Sequence, residues 1–201
     1  MTVSLIKQTS PGRLTVTLEN GEEIKTTLGV VTDMRLFSGK ELDAALTDEF
    51  RLSSRRALAR EKALEYLSRR PMSCAELKKK LLEKDFEEDT ADYCVLWLSV
   101  NALIDDESYA AAVARHYAAK GYGAGRIKSE LSKRGISREL WDGALDAAPD
   151  SSGKIDKFIS SRLTDPCDRA QIGKVSQALY RRGYSWEEIR EALSRFSAEA
   201  E

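Results

Sequence analysis

Few side chains in this sequence are of types that do covalent chemistry, and their spacing argues against it. His116 is the only histidine. It falls in the run Tyr109, Ala112, Val113, His116, Tyr117, the i, i+3, i+4, i+7, i+8 pattern of one helix face. It therefore reads as a core or partly buried histidine rather than a general base. No serine or cysteine stands in a nucleophile motif, and a zinc site would need more His or Cys at ligand spacing. Cys74, Cys94 and Cys167, an odd count without a C-x-x-C, read as reduced thiols. Asp105, Asp106 and Glu107 have the composition of a divalent-ion site but fit better as the acidic start of a helix. Gly121-x-Gly-x-Gly125 is too short for a phosphate loop and lacks the following Gly-Lys-Ser/Thr, so a glycine-rich joint is the better account. Trp97, Trp141 and Trp186 read as packing residues. No catalytic residue, cofactor or metal is expected.

The side chains that recur are cationic. Lys133-Arg134 and Arg181-Arg182 close two helices, and Lys84 occupies the second of those positions in an earlier one. Cations there complement the helix dipole and can bond its last carbonyls, which accounts for part of the pattern. The cluster Arg69, Arg70, Lys78, Lys79, Lys80 and Lys84 exceeds what capping requires, and can contact phosphates or an acidic protein surface. Net charge is only −1, so the chain as a whole is not a basic nucleic-acid binder. Its charge is segregated instead. Residues 51–84 hold 11 Lys/Arg against 4 Asp/Glu, and residues 85–110 hold none against 8. Ordinary helix-face charge and an interaction surface both remain open explanations of that alternation.

The elements that carry these residues repeat. S-C-A-E-L-K-K-K-L-L-E-K-D-F at 73–86, G-A-G-R-I-K-S-E-L-S-K-R-G-I at 123–136 and A-Q-I-G-K-V-S-Q-A-L-Y-R-R-G-Y at 170–184 align when Phe86, Ile136 and Tyr184 are superposed, at offsets of 50 and 48 residues. Leu77 then matches Ile127 and Val175, Leu81 matches Leu131 and Leu179, and Asp85 matches Gly135 and Gly183. A period of that length is one supersecondary unit used several times.

Residues 2–27 are the β-rich part. Apolar and polar residues alternate over 3–7 and 13–19, Pro11-Gly12 makes a turn, and Asn20-Gly21 suggests a type I′ hairpin with both residues at positive φ. Residues 28–50 read as short helices broken at Ser38-Gly39, with Lys40 opening a new turn. From there only helices are expected: about 54–69 carrying Ala57, Ala63, Leu64 and Leu67, then one capped by Ser73-x-x-Glu76, then about 87–101 burying Ala91, Cys94, Val95 and Leu98. The second unit repeats this, ending on a helix with Leu140, Trp141, Ala144 and Leu145. The third places Ile155, Phe158, Ile159, Ile172, Val175 and Leu179 inward and closes with a helix capped by Ser185-x-x-Glu188. Asp150-Ser-Ser-Gly153 and Thr164-Asp-Pro166 are the joints. The expected fold is mainly α: three tandem three-helix repeats at 51–102, 103–149 and 150–201 in an elongated arrangement, behind a small N-terminal β-hairpin or three-stranded sheet within 1–50. No apolar run approaches membrane-spanning length and no signal-peptide pattern is present, so a soluble cytoplasmic protein is expected.

E-Y-L-S-R-R-P-M-S-C-A-E-L-K-K-K-L at 65–81, L-I-D-D-E-S-Y-A at 103–110, K-G-Y-G-A-G-R-I-K-S-E-L-S-K-R-G-I at 120–136 and Y-R-R-G-Y-S-W-E-E-I at 180–189 resemble the RecX family of bacterial recombinase regulators over about 57–195. Cys74, and Asp85 in place of the turn glycine, are small departures from its pattern. The resemblance implies a non-enzymatic modulator of RecA, acting in DNA repair, recombination and the SOS response. Such proteins bind the RecA–DNA filament and inhibit its ATPase, strand-exchange and coprotease activities. On that reading Arg69, Arg70, Lys78, Lys79, Lys80, Lys84, Arg126, Lys128, Lys133, Arg134, Arg181 and Arg182 are candidates for filament or DNA binding, and the chain is expected to be a monomer. A free-standing helical DNA-binding module acting indirectly on recombination is the rival reading.

Overall fold

The structure, a computed structural model, describes residues 1–150, 152–165 and 167–199. Ser151 and Pro166, each in one of the expected joints, lie outside the described residues. The chain divides into two compact units, residues 1–71 with 76–104 and residues 72–75 with 105–201.

The first unit opens with the expected sheet, β1 (Val3–Ser10), β2 (Arg13–Leu18) and β3 (Glu23–Thr27), antiparallel in the order β1-β2-β3. Period-two alternation works as it should: Val16 pairs with Ile24, and both are buried together with Leu18. Gly12 takes φ 77 in the first turn. The second turn is not type I′. Only Gly21 has positive φ, 85, and the loop closes through Gly21 N–H donating to the Leu18 carbonyl and Leu18 N–H to that of Glu22, both 2.9 Å. Asn20 instead turns its side-chain oxygen to accept the Glu22 N–H at 3.0 Å, a local bond typical of Asn in turns.

A sheet this small needs a helix against it. α1 (Leu28–Asp33) and α2 (Ala44–Arg69) supply one, and Val3, Val16, Leu18, Val30, Leu42 and Phe50 form the shared core. Ser54 and Thr26 pair their buried hydroxyls at 2.9 Å across the helix–sheet contact. α2 starts some ten residues before the position expected from periodicity, capped by Asp43, whose carboxylate accepts the Leu46 N–H at 2.7 Å. Its first turns bury Thr47, Phe50 and Ser54, so polar residues interrupt the apolar stripe that would have announced them. Lys40 opens no helix; its ammonium donates to the Met34 carbonyl at 2.6 Å. Leu64, expected inside, is 42% exposed. α3 (Cys74–Leu82) buries Leu77 and Leu81, and α4 (Glu88–Val100) buries Ala91, Cys94 and Leu98.

The second unit holds α5 (Asp106–Ala119), α6 (Ala124–Lys133), a 3-10 turn at Arg138–Leu140 leading into α7 (Trp141–Asp146), α8 (Ser152–Ser160), α9 (Arg169–Arg181) and α10 (Trp186–Glu199). Ile127, Leu131, Ile136 and Ala144 pack with α5, while Ile155, Ile159, Val175, Leu179 and Ile189 form the core of the last three helices. One face is rotated from expectation. α5 buries the small residues Ala110, Ala114 and Ala118 with Val113, leaving Ala112 and His116 outside that core. The aromatic residues set the expected face, but the alanines are what allow close approach to neighbouring helices.

All three middle helices end alike. Asp85, Gly135 and Gly183 sit at φ 61, 66 and 91. The next residues, Phe86, Ile136 and Tyr184, donate backward to the carbonyls of Leu81, Leu131 and Leu179 at 3.3, 3.1 and 3.3 Å. This is the left-handed close of a helix, in which orphan carbonyls find donors and an apolar residue folds back onto the last turn.

The second unit contains one joint made twice. Ser73, at the head of the α3 segment, donates its hydroxyl to the Arg134 carbonyl; Gly123, at the aligned position heading α6, donates its N–H to the Arg182 carbonyl at 3.0 Å. Gly125 adds a bond to the Gly183 carbonyl at 2.9 Å. Backbones lie so close that a Cβ on Gly123 would stand 2.5 Å from the Gly183 oxygen, and one on Gly135 would stand 2.5 Å from Ala75 Cβ. The glycines of 121–125 are thus a joint, as expected, rather than a phosphate cradle.

Candidate functional site

The candidate cations separate into those that the fold engages and those that it leaves free. In the first unit, Arg69 reaches back to Glu65 at 2.6 Å, and Arg70 bonds the Pro71 carbonyl and Glu76 at 3.0 and 3.2 Å. Lys78 ties α3 to α4, bonding Asp92 at 2.6 Å and Glu88 at 3.0 Å, and these acids, Asp92 foremost, push its pKa up. Lys80 stands 5.2 Å from the centre of the Tyr66 ring, which Lys62 also approaches at 5.1 Å. Lys79 and Lys84 have no ion-pair partner among the described residues. Lys84 lines a cavity of about 560 Å³ together with Arg13, Lys25, Lys62, Glu65 and Phe86.

In the second unit three candidates converge on one carboxylate. Glu130 is buried on α6 and accepts from Arg126 at 2.9 Å, Lys133 at 3.1 Å, Arg134 at 2.7 Å and the Tyr117 hydroxyl at 3.0 Å. The Arg134 guanidinium, more than burial opposes it, holds the Glu130 carboxyl at a pKa of about 2. Arg134 also donates to the Glu130 backbone carbonyl at 2.8 Å, the terminal capping expected of this position. Lys128 meets Asp142 at 3.8 Å on the surface. Arg182 turns inward, 4.6 Å from the Phe158 ring centre and 3.4 Å from the Gly121 carbonyl. Arg181 is exposed and unpaired among the described residues.

Several of the groups of types able to do covalent chemistry have structural duties. Asp105 accepts the Glu107 and Ser108 N–H groups at 2.9 and 3.0 Å as an N-cap, and these bonds, Ser108's foremost, hold its carboxyl below the usual range. Asp106 accepts the Cys74 N–H at 2.8 Å. His116 is exposed, not buried, and packs edge-on against Tyr117 at 5.4 Å. Burial pushes the Cys74 and Cys94 thiols up to about 11, where a thiolate is scarce. Among the described residues no three His, Cys, Asp or Glu are grouped to hold a metal ion, and no helix is long and apolar enough to cross a membrane.

Three arrangements escaped sequence reading. Glu130 was not singled out in the sequence, although cations at i−4, i+3 and i+4 around it form a pattern that could have marked it. Arg56 and Arg60, one turn apart on α2, stack on Tyr93 and Trp97, one turn apart on α4, at 3.8 and 4.9 Å. Trp186 was expected to pack inside. It is 52% exposed and stacks on the equally exposed Tyr180, centroids 5.1 Å apart and planes 18° from parallel. Trp141 does pack, donating its Nε1–H to the Ile136 carbonyl at 3.0 Å.

Models of the first, second and third three-helix domains of RecX match residues 59–98, 105–145 and 161–193. A protein named regulatory protein RecX from Xanthomonas axonopodis pv. citri is 37% identical over 142 residues, covering 69% of this chain and 87% of its own. One of the same name from Limosilactobacillus reuteri is 28% identical over 184 residues, 89% of this chain and 70% of its own. Among solved structures, a crystal structure of regulatory protein RecX superposes with TM-score 0.73 at 26% identity, covering 96% of this chain and 98% of that one. RecX from Lactobacillus salivarius gives 0.65 at 26% identity, covering 72% and 97%. The three matched domains fall in order on α2–α4, α5–α7 and α9–α10, each including one of the middle helices that share one ending, and the chain belongs to the RecX family of regulatory proteins.

Proposed function

We propose that this chain is a non-enzymatic, cytoplasmic regulator of homologous recombination and DNA repair that binds the RecA–DNA filament and inhibits the ATPase, strand-exchange and coprotease activities of RecA. The observation that carries the reading is the run of three RecX-type helical units. We take these units as residues 51–102, 103–149 and 150–201, acting as a monomer. The free cations Lys79, Lys84 and Arg181 are the groups we assign to phosphate or acidic filament surface, since the fold makes no use of them. Arg126, Lys133 and Arg134 serve Glu130 first, and Lys78 serves the α3–α4 contact. The test is the single-stranded-DNA-dependent ATPase of RecA with and without this chain. A dose-dependent fall in rate is expected; an unchanged rate at several-fold molar excess in low salt overturns the proposal.

A further inference from the structure

We propose that Tyr180 and Trp186 form a stacking platform for the unpaired bases of single-stranded nucleic acid. The pair is unusual for its exposure. Both rings stand more than half open to solvent while lying nearly parallel on one another. Two aromatic rings stacked on each other and this exposed contribute little to a core, and a stack of two leaves an outer π face on each. Each of the two residues also lines a cavity. Tyr180 lines a cavity of about 490 Å³ with Arg126, Ser129, Arg181 and Glu188. Trp186 lines another, of about 550 Å³, with Arg190, Ser194 and Ser197. Each slot therefore has an aromatic wall, an arginine and hydroxyls.

The charges agree with a polyanion carrying planar groups. Arg181 and Arg190 are exposed and have no ion-pair partner among the described residues. Arg126 Nε, on the Tyr180 side, is buried without a hydrogen-bond partner among the described residues. The carboxylate lining the first cavity is already occupied: Glu188 accepts the Ser185 N–H at 2.7 Å in the capping box that starts α10. Glu187 and Glu191 stay exposed on α10 and weaken the local positive field, so binding should be modest and strongly salt-dependent. Stacking tolerates any base, because every base has a π face, and it requires bases that are not already stacked in a duplex. The proposal concerns the chain alone and involves no recombinase, so it stands or falls separately from filament regulation.

The experiment titrates the full chain into a labelled oligothymidylate of about 20 nucleotides, long enough to span a typical single-strand site, and into a duplex of the same length, following anisotropy and tryptophan emission. The wild type should prefer the single strand and lose emission on binding. Trp186→Ala and Tyr180→Ala should each weaken single-strand binding roughly tenfold at every salt concentration, with unchanged melting and unchanged salt slope. Arg181→Ala should lower the salt slope by about 0.7. Trp186→Phe should keep the affinity and lose the emission change. The proposal is overturned if both alanine variants bind like wild type, if the duplex binds as tightly, if Trp186→Phe keeps the full emission change, or if no binding tighter than about 100 µM is seen in low salt; the last result would leave an acidic protein loop as the occupant.

Discussion

At the scale of single residues, charge type was legible and charge duty was not. Twelve cations were picked out as candidates, and the structure finds seven of them in ion pairs, four with a carboxylate one helical turn away. Glu130 is the strongest case. Its folded pKa of about 2 lies below the ordinary 4.5, so the stability that it contributes is fully present above about pH 4.5 and is lost as pH falls through about 2. Glu130→Gln should cost about 2 kcal/mol at pH 7, because three cations and a hydroxyl lose a charged acceptor. It should also flatten the acid limb of the stability curve between those two pH values, measured by urea unfolding across pH. Reversing Lys78 is a poor test of binding, since it would place a third acid between Glu88 and Asp92 and unsettle the fold. Lys79→Glu with Lys84→Glu is the clean one. The double variant should stay within about 1 kcal/mol of wild type in stability, as exposed unpaired charges do, and inhibit the RecA ATPase less. Full inhibition by a well-folded double variant would remove these lysines from the binding surface.

At the scale of elements, apolar period carried the reading and polar or small residues limited it. Leu77, Leu81, Ile127, Leu131, Val175 and Leu179 were all placed correctly in the core, because two apolar residues four apart leave one helix face no alternative. The start of α2 was missed since Thr47 and Ser54 are buried there, and the α5 face was misjudged since alanine carries a weak hydrophobic signal. Trp186 was misplaced by the reverse error, the assumption that a large aromatic is inside. The glycine joint was legible as a joint but not as a contact, for sequence shows that a residue lacks a side chain and not what approaches it. That distinction can be measured. Gly183 combines φ 91 with the Arg126 backbone inside the space a Cβ would fill, so Gly183→Ala should cost about 3 kcal/mol or more. Gly173, inside α9, has nothing within 4 Å of the place a methyl group would take, and should behave oppositely. Gly173→Ala should gain about 0.5–1 kcal/mol. Urea midpoints for the two variants should therefore move in opposite directions.

For the molecule as a whole, the repeat was the most informative thing in the sequence. It set helix count, core and order before any side-chain geometry, and the three matched domains follow it. The alternation of basic and acidic blocks turns out to be partly internal. The acids at 88 and 92 hold Lys78, and Glu87 holds Arg55 at 2.5 Å, so part of the acidic stretch of 85–110 is spent on the basic one before it. Other exposed cations, Arg115, Lys120, Arg169, Lys174, Arg181 and Arg190 among them, have no ion-pair partner among the described residues.

The twice-made joint has a direction. In each instance the head of one middle helix rests on the closing turn of the next, and the turn that receives it must be glycine. The first turn in the series carries Asp85, whose side chain would obstruct such a guest, while the third copy carries Gly173 at the position of Gly125, with nothing within 4 Å of where its Cβ would stand. An ancestral gene duplicating its own repeat would therefore find one end sealed and the other receptive. New units could be accepted after the third copy but not ahead of the first, and family members of different length should differ in their tails.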